Sequence, residues 1–304
     1  MKFMVIMGIN EEELFASGHR ACAGCGEALA IRHILKAAGK NTIVAQATGC
    51  MEVVSSPYPQ TSWEIPWVHC AFENAAAVAS GIRAALNMKG DKITNVIAMG
   101  GDGASFDIGF GALSGALERG HKFLYVCTDN EAYMNTGIQR SGATFPYAAT
   151  TTSPAGKVIP GKQQPKKPLP FIVAAHGIEY VATANVANLI DLKNKVEKAL
   201  KVEGPSFLHV LVPCTPGWKI DASSTIRVAQ KAIDTWAAPV YEIEKGILKL
   251  SQKPVAKPIE EYLMMQGRFK HVTPDNVEKI QEYVDKRKKF LLENDGKEIF
   301  DVLY

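Results

Sequence analysis

The chain has 304 residues, 47% of them apolar, and 34 basic against 31 acidic side chains leave a formal charge of +3. That length allows one large domain or two, with a sizeable core. A near-neutral balance with no basic arm and no acidic tail argues against a nucleic-acid partner.

The N-terminal "MKFMVIMGINEEELF" is briefly apolar and then acidic. It is too short for a membrane span and lacks the small-residue cleavage site of an export signal, so a first strand or a disordered start is expected, in a cytoplasmic chain with no membrane partner. "GHRACAGCGEALA" (18–30) follows, with Cys22 and Cys25 among Gly18, Gly24 and Gly26 and a helix after them. In the cytoplasm such a pair is more often a metal or redox site than a structural disulfide. A zinc ion, a redox disulfide and a cluster are all open. Two cysteines cannot complete a tetrahedral site, so other ligands are needed.

"NTIVAQATG" (41–49) reads as a strand ending in a glycine loop, just before Cys50. Residues 72–88 form an alanine-rich helical stretch closed by Gly90, and Cys70 falls at or near its start, where packing is the expected role. "KITNVIAMGGDG" (92–103) is a buried strand running into a glycine-rich turn, and "FDIGFGALSGALERG" (106–120) is a helix ended by Gly120. "HKFLYVCTDN" (121–130) is another buried strand, in which Cys127 is a small core residue. Residues 131–170 then break the rhythm with many Gly, Pro, Ser and Thr, and a loop this long in a compact domain is functional or disordered.

Two more strands, 178–186 and 205–214, flank a helix at 189–202, and the second ends in Cys214 between Pro213 and Thr215. Cys50 and Cys214 lie in loop chemistry flanked by Gly or Pro, so these two can join Cys22 and Cys25. Strands alternating with helices argue for an α/β fold whose mostly parallel sheet is covered on both faces, with ligands beyond the carboxyl ends of the strands. The expected organisation is a domain over 1–238 and a C-terminal extension over 239–304. The extension's charged helix at 275–294 is either a surface helix of the same domain or a tail that embraces a partner subunit.

"GDG" at 101–103 follows a buried strand and precedes a helix, a setting in which backbone amides receive phosphate. Asp102 beside a diphosphate would repel it unless a divalent cation lay between them, and magnesium suits oxygen ligands. Asn130, closing the next strand 28 residues on, and the Ala132 carbonyl are the candidates to complete the protein's share. A lone GDG is also a common turn; the run of strand, GDG, helix, strand and Asn resembles the thiamine diphosphate motif.

With "GHRACAGCG", "ATGCMEV", "PYPQTSW", "HCAFENAAAVASG", "GGDGASFDIG", "ALERGHKFLYVCTDNEAYMNTGIQRS" and "LVPCTPGW" in order, the chain resembles the beta subunit of a 2-oxoacid:ferredoxin oxidoreductase over most of residues 18–220, the pyruvate enzyme above all. The resemblance implies a thiamine-diphosphate-binding α/β fold with a mostly parallel sheet, a cluster held in its loops and a C-terminal helical tail. It implies one [4Fe–4S] cluster on Cys22, Cys25, Cys50 and Cys214, in place of zinc. It implies thiamine diphosphate and Mg2+ held at Gly101, Asp102, Gly103, Ala104, Asn130 and Ala132. The cofactor is lined by the run Glu131, Tyr133, Met134 and Asn135 and touched by Glu27 and Cys50. Asn135 is the implied contact to substrate, with Arg140 as a candidate cation for its carboxylate.

The implied reaction is the reversible oxidative decarboxylation of pyruvate to acetyl-CoA and carbon dioxide, with electrons passing through the cluster to ferredoxin. A branched-chain 2-oxoacid or oxalate is an alternative substrate. A non-redox thiamine decarboxylase or carboligase, and a zinc-bearing structural subunit, are the readings from other classes. Glu52, Glu64 and Glu73 are carboxylates by type only, so the glutamate that activates thiamine is expected on a partner subunit carrying the pyrimidine-side domain. The cysteines are exhausted after one cluster and no CxxCxxCxxxCP run is present, so a separate ferredoxin-like polycluster subunit is expected too.

Overall fold

Strand Leu124–Asp129 (β4 below) is buried along its whole length, with Leu124 and Val126 in one apolar cluster and Tyr125 and Cys127 in the other. A strand apolar on both faces has to lie inside a sheet covered on both sides, and that is the architecture. The computed structural model of the chain describes residues 5–6, 9–57 and 59–300. Eight strands form the main sheet: Thr42–Ala47 (β1), Trp67–Cys70 (β2), Asn95–Gly101 (β3), Leu124–Asp129 (β4), Tyr180–Asn185 (β5), Ser206–Leu211 (β6), Tyr241–Glu244 (β7) and Ile247–Leu250 (β8). Their order is β8-β7-β5-β6-β4-β3-β1-β2. Neighbours from β2 to β5 are parallel, and β7 and β8 add an antiparallel edge.

Helices Gly26–Ala38 (α1) and Leu189–Ala199 (α6) pack together on one face through Ile31, Ile34, Leu35, Leu192 and Val196. Ala75–Met88 (α3) and Phe110–Glu118 (α4) cover the other, where Ala75, Ala76, Ala79 and Leu113 bring the helices close. Short helices Cys50–Ser55 (α2), Leu169–Ala174 (α5) and Thr215–Trp218 (α7) follow β1, the long loop and β6. Thr225–Asp234 (α8), Glu260–Leu263 (α9) and Pro274–Glu293 (α10) complete the set. No helix among the described residues is long and apolar enough to cross a membrane.

The expected strands appear trimmed by one to three residues at their ends, while three elements differ from expectation. Cys70 does not open a helix: it ends edge strand β2, where its Sγ donates to the Gln46 carbonyl at 3.2 Å, and α3 starts only at Ala75. Between GDG and α4, residues Gly103–Ile108 form a π-helical turn, closed by Gly109 N–H to Ala104 O at 2.9 Å. Such turns often mark functional sites. Beyond residue 238 the hairpin β7–β8 extends the sheet, and α10 buries Ile280, Val284 and Leu291 in the α3/α4-side core. A capping box starts α10: Thr273 Oγ1 accepts from Asn276 N–H, and Asn276 accepts from Thr273 N–H. The N-terminal strand or disordered start expected over 1–15 lies partly outside the described residues; Val5–Ile6 pairs antiparallel with Ile9–Asn10.

Loop 131–170 is pinned from within. Lys162, 1% exposed, donates from Nζ to the carbonyls of Gly142 (3.1 Å), Thr144 (2.7 Å) and Pro165 (3.3 Å). Burial pushes its amine down to about 8, and the positive charges of Arg140 and Lys166 act the same way. Between pH 8 and the free-lysine value of 10.5 the unfolded chain therefore binds the extra proton, so Lys162 adds stability as pH rises through that window. Denaturation midpoints against pH should show wild type gaining on Lys162→Met from pH 8 upward; parallel curves would refute the assignment.

Candidate functional site

The carboxyl ends of β1, β3, β4 and β6 meet at one side of the sheet, and loops from all four build the site. A cleft there is lined by Glu27, Cys50, Gly101, Asp102, Gly103, Asn130, Ala132, Tyr133, Met134 and Asn135. Thr48, Gly49, Phe72 and Thr136 complete its wall and lay outside the sequence-based set. The Tyr133 ring lies over Gly103, where a Cβ would stand 2.4 Å from Tyr133 Cε1. Gly103 is therefore a floor that no side chain can occupy.

Two residues of the expected set turn away. Ala104, in the first turn of the π-helix, is 1% exposed and packs toward Gly100. Glu131 adopts φ 67°, and its carboxylate points into a buried ion network instead of the cleft. Arg140 is exposed, sits 3.4 Å from Gln164 Oε1 and does not line the cleft, so the expected carboxylate cation is not found there. Asn135 is exposed on the cleft wall.

Asp102, Asn130 and Ala132 do converge. The terminal carboxamide of Asn130 has one atom 2.7 Å from the Ala132 carbonyl oxygen and 3.1 Å from Asp102 Oδ1. With its NH2 turned inward, Asn130 donates to both; with its oxygen inward, three oxygens face one another. Hard cations take such an all-oxygen set. Asp102 is 1% exposed, and burial together with the nearby Asp129 carboxylate holds its carboxyl well above the usual range, against a hydrogen bond from Ser141 Oγ. The Lys166 charge acts in the opposite sense, but among the described residues no cation pairs directly with Asp102, and a divalent cation would supply that partner.

Behind this loop the charges are matched. Asp129 is fully buried; Lys166 and a 2.7 Å contact to His209 Nε2 overcome burial and hold its carboxyl down to about 2. Lys166 also reaches Glu131 Oε1 at 2.9 Å, and Arg268 donates to Glu131 Oε2 at 2.6 Å. Glu27 accepts from Thr128 Oγ1 at 2.7 Å, and burial pushes its carboxyl up to about 7 against hydrogen bonds from Thr128 and Asn130. Lys166, Ser141 and Arg268 are neighbours of the candidate site that sequence reasoning missed, because nothing local marks them.

A second cavity adjoins the cleft and is lined by Cys22, Cys25, Cys50 and Cys214, with Glu27, Cys50 and Asn130 forming walls common to both. Three of the thiols stand at helix starts: Cys25 caps α1, Cys50 opens α2 and Cys214 caps α7. Helix N-termini favour the thiolate a metal requires. Burial pushes the Cys25 thiol up to about 12 and the Cys214 thiol up to about 11, so both favour the neutral form until a metal displaces the proton. Met134 Sδ and Cys214 Sγ both crowd Gly217, 2.2 and 3.3 Å from where its Cβ would be, so cleft and cysteine cavity share a packed boundary. Cys70 and Cys127 line neither space.

The cysteine loop is tied to residues 213–225, up to 201 positions downstream. Gly26 N–H donates to Pro213 O (3.2 Å), Thr215 Oγ1 to Ala23 O (3.0 Å) and Thr225 Oγ1 to Gly24 O (2.6 Å). Gly24 has φ +73°, and a Cβ there would meet Ala222 O at 2.3 Å; Gly18 has φ +97° with nothing within 4 Å. Gly24→Ala should therefore cost about 2–3 kcal/mol in denaturant titrations, the sum of left-handed strain and a backbone clash, against about 1 kcal/mol for Gly18→Ala. Equal losses would show that the loop gives way freely.

Residues 47–210 match the family model described as thiamine pyrophosphate enzyme, C-terminal TPP binding domain. The chain is 54% identical to pyruvate synthase subunit PorB of Methanocaldococcus jannaschii, across 95% of this chain and 99% of that one. It is 45% identical to ketoisovalerate oxidoreductase subunit VorB of Pyrococcus abyssi, across 90% of each. Among solved structures, the fold is similar to a 2-oxoglutarate:ferredoxin oxidoreductase from Magnetococcus marinus, with TM-score 0.57 at 21% identity over 75% of this chain and 84% of that one.

Proposed function

The chain belongs to the beta subunits of the 2-oxoacid:ferredoxin oxidoreductases, and on that premise we propose that it is the thiamine- and cluster-binding subunit of an enzyme that oxidatively decarboxylates pyruvate to acetyl-CoA. The observation that carries the reading is the pair of adjoining spaces, one walled by GDG and Asn130, the other by four cysteines. When bound, thiamine diphosphate supplies the carbanion chemistry of 2-oxoacid decarboxylation, and a [4Fe–4S] cluster accepts the electrons singly.

In this reading Asp102, Asn130 and the Ala132 carbonyl hold Mg2+ against the diphosphate, and backbone around Gly101, Gly103 and Ala104 receives its oxygens. Tyr133, Met134 and Cys50 wall the ring system, Glu27 stands between cofactor and cluster, and Asn135 meets the substrate. Cys22, Cys25, Cys50 and Cys214 hold the cluster. They line one cavity, and four thiolates are the ligand set of a [4Fe–4S] cluster.

Glu52, Glu64 and Glu73 line neither space, which supports a partner subunit as the source of the activating glutamate. A polycluster subunit, coenzyme A and ferredoxin complete the proposed assembly, in the cytoplasm. Pyruvate is favoured over a branched-chain 2-oxoacid because relatives named for pyruvate range from 46% to 54% identity, whereas one named for ketoisovalerate stands at 45%.

The test is the native complex purified without oxygen. Iron and acid-labile sulfide, bound thiamine diphosphate and CoA-dependent reduction of ferredoxin are expected, fastest with pyruvate among a panel of 2-oxoacids. Zinc in place of iron, or decarboxylation with no electron transfer, would overturn the reading. A higher kcat/KM for another 2-oxoacid would change the substrate alone.

A further inference from the structure

Arg268 belongs to the segment beyond β8, far in sequence from every motif of the site, yet it is 2% exposed and lies between the two halves of that site. Its Nη2 donates to Glu131 Oε2 at 2.6 Å, and its Nε donates to Gln266 Oε1 at 2.9 Å. The guanidinium carbon sits 3.9 Å from the centroid of the Trp218 ring. The Arg268 carbonyl accepts from Ala149 N–H at 3.0 Å, tying the same residue to the long loop.

Each partner leads to one space. Glu131 is the left-handed residue between Asn130 and Ala132, so fixing its carboxylate fixes the two flanking oxygen donors. Trp218 ends α7, whose first turn is closed by Trp218 N–H to Cys214 O at 2.9 Å. The Trp218 indole donates to the Asn130 carbonyl at 2.7 Å. Arg268, Glu131, Asn130 and Trp218 therefore form a closed ring of contacts with Cys214 on one side and Asp102 on the other. Lysine cannot replace the arginine, because only a planar guanidinium can stack on an indole and donate in its plane to a carboxylate.

We propose that Arg268 is a positioning residue shared by the two spaces, setting the Asn130–Ala132 oxygens through Glu131 and the Cys214 thiolate through Trp218. The inference rests on the function proposed above. It also gives the stacked cation a second effect: as the positive charge on the Trp218 side of Cys214, it favours the more negative, reduced state of a cluster held there. Its like-signed neighbour Lys166 lies on the Asp129 and Glu131 side of the ring.

The test uses the intact complex, prepared without oxygen with wild-type chain, Arg268→Lys, Arg268→Gln or Trp218→Phe. Readouts are thiamine diphosphate binding at fixed Mg2+ by calorimetry and the cluster's midpoint potential by spectroscopic redox titration. Both Arg268 variants should weaken cofactor binding by about tenfold or more, the usual scale for losing a group that orients a metal ligand. Arg268→Gln should also move the midpoint to more negative values, whereas Arg268→Lys should move it less because the charge persists.

Trp218→Phe keeps a ring under the guanidinium but loses the indole donor, so it should weaken cofactor binding with a smaller shift in midpoint. Variants that fold with wild-type circular dichroism, affinity and midpoint would overturn the inference. So would a uniform loss of thermal stability with both readouts unchanged. A wild-type complex that carries neither group would overturn the functional reading, and this inference with it.

Discussion

Asp102→Ala is expected to leave the chain folded, with a melting temperature equal to or above wild type, and unable to retain thiamine diphosphate. Asp102 is 1% exposed, and its carboxyl is held well above the normal range by burial and by Asp129. Removing a buried acid that has no cation partner does not destabilise the empty protein, since the desolvation cost goes with it. One hydrogen bond, from Ser141 Oγ, is lost and offsets part of that gain. Cofactor affinity moves the opposite way: on the reading proposed above Asp102 is the anionic ligand this chain gives Mg2+, and a drop of about 100-fold or more is expected. Calorimetry with Mg2+ and thiamine diphosphate, read beside a thermal melt, separates the two. A variant that melts early yet binds normally would make Asp102 a turn residue. Asn130→Ala should follow the same direction with a smaller loss, as it removes a neutral ligand.

Cys214→Ser should cost the complex its cluster, measured as iron and acid-labile sulfide per chain, whereas Cys127→Ser should leave both unchanged. The two residues differ in what surrounds them. Cys214 lines the cavity with Cys22, Cys25 and Cys50, and it caps α7. Cys127 is fully buried within β4, on the face toward Phe106 and Leu113. The cost of serine at 127 therefore falls on folding and not on the cluster. Equal loss of iron from both variants would sink the assignment of the four ligands.

Much of this was legible because the informative features are local. The parallel core strands announce themselves as unbroken apolar runs, as in 124–129, since both faces are buried. GDG and the four loop cysteines are short motifs whose chemistry does not depend on what is distant. The unread parts have physical reasons. β2 is four residues long at the edge of the sheet and half exposed, so it carries no apolar run, and Cys70 was drawn into the helix after it. The hairpin β7–β8 alternates buried and exposed residues across only four positions per strand. Glu131 sits within a cofactor motif, yet its left-handed backbone turns the side chain toward Arg268, 137 positions away. Sequence spacing contains no sign of that pairing.

Chain order has a consequence for how the protein is made. Synthesis releases the N-terminus first, and domains begin to fold in that direction. β1, β2, β3 and β4 are contiguous in the sheet, so this half can pair while the remainder is still on the ribosome. Cys22, Cys25 and Cys50 are out by then, but Cys214 lies beyond β6, the strand that joins the second half to β4. The hydrogen bonds that shape the cysteine loop come from Pro213, Thr215 and Thr225, up to 201 positions downstream. Three thiols therefore wait, without their fourth, through most of translation. On the reading proposed above, a nascent chain offers an iron–sulfur donor no finished seat until residues through Thr225 are out, so cluster delivery belongs late, to a chain whose two halves have already joined.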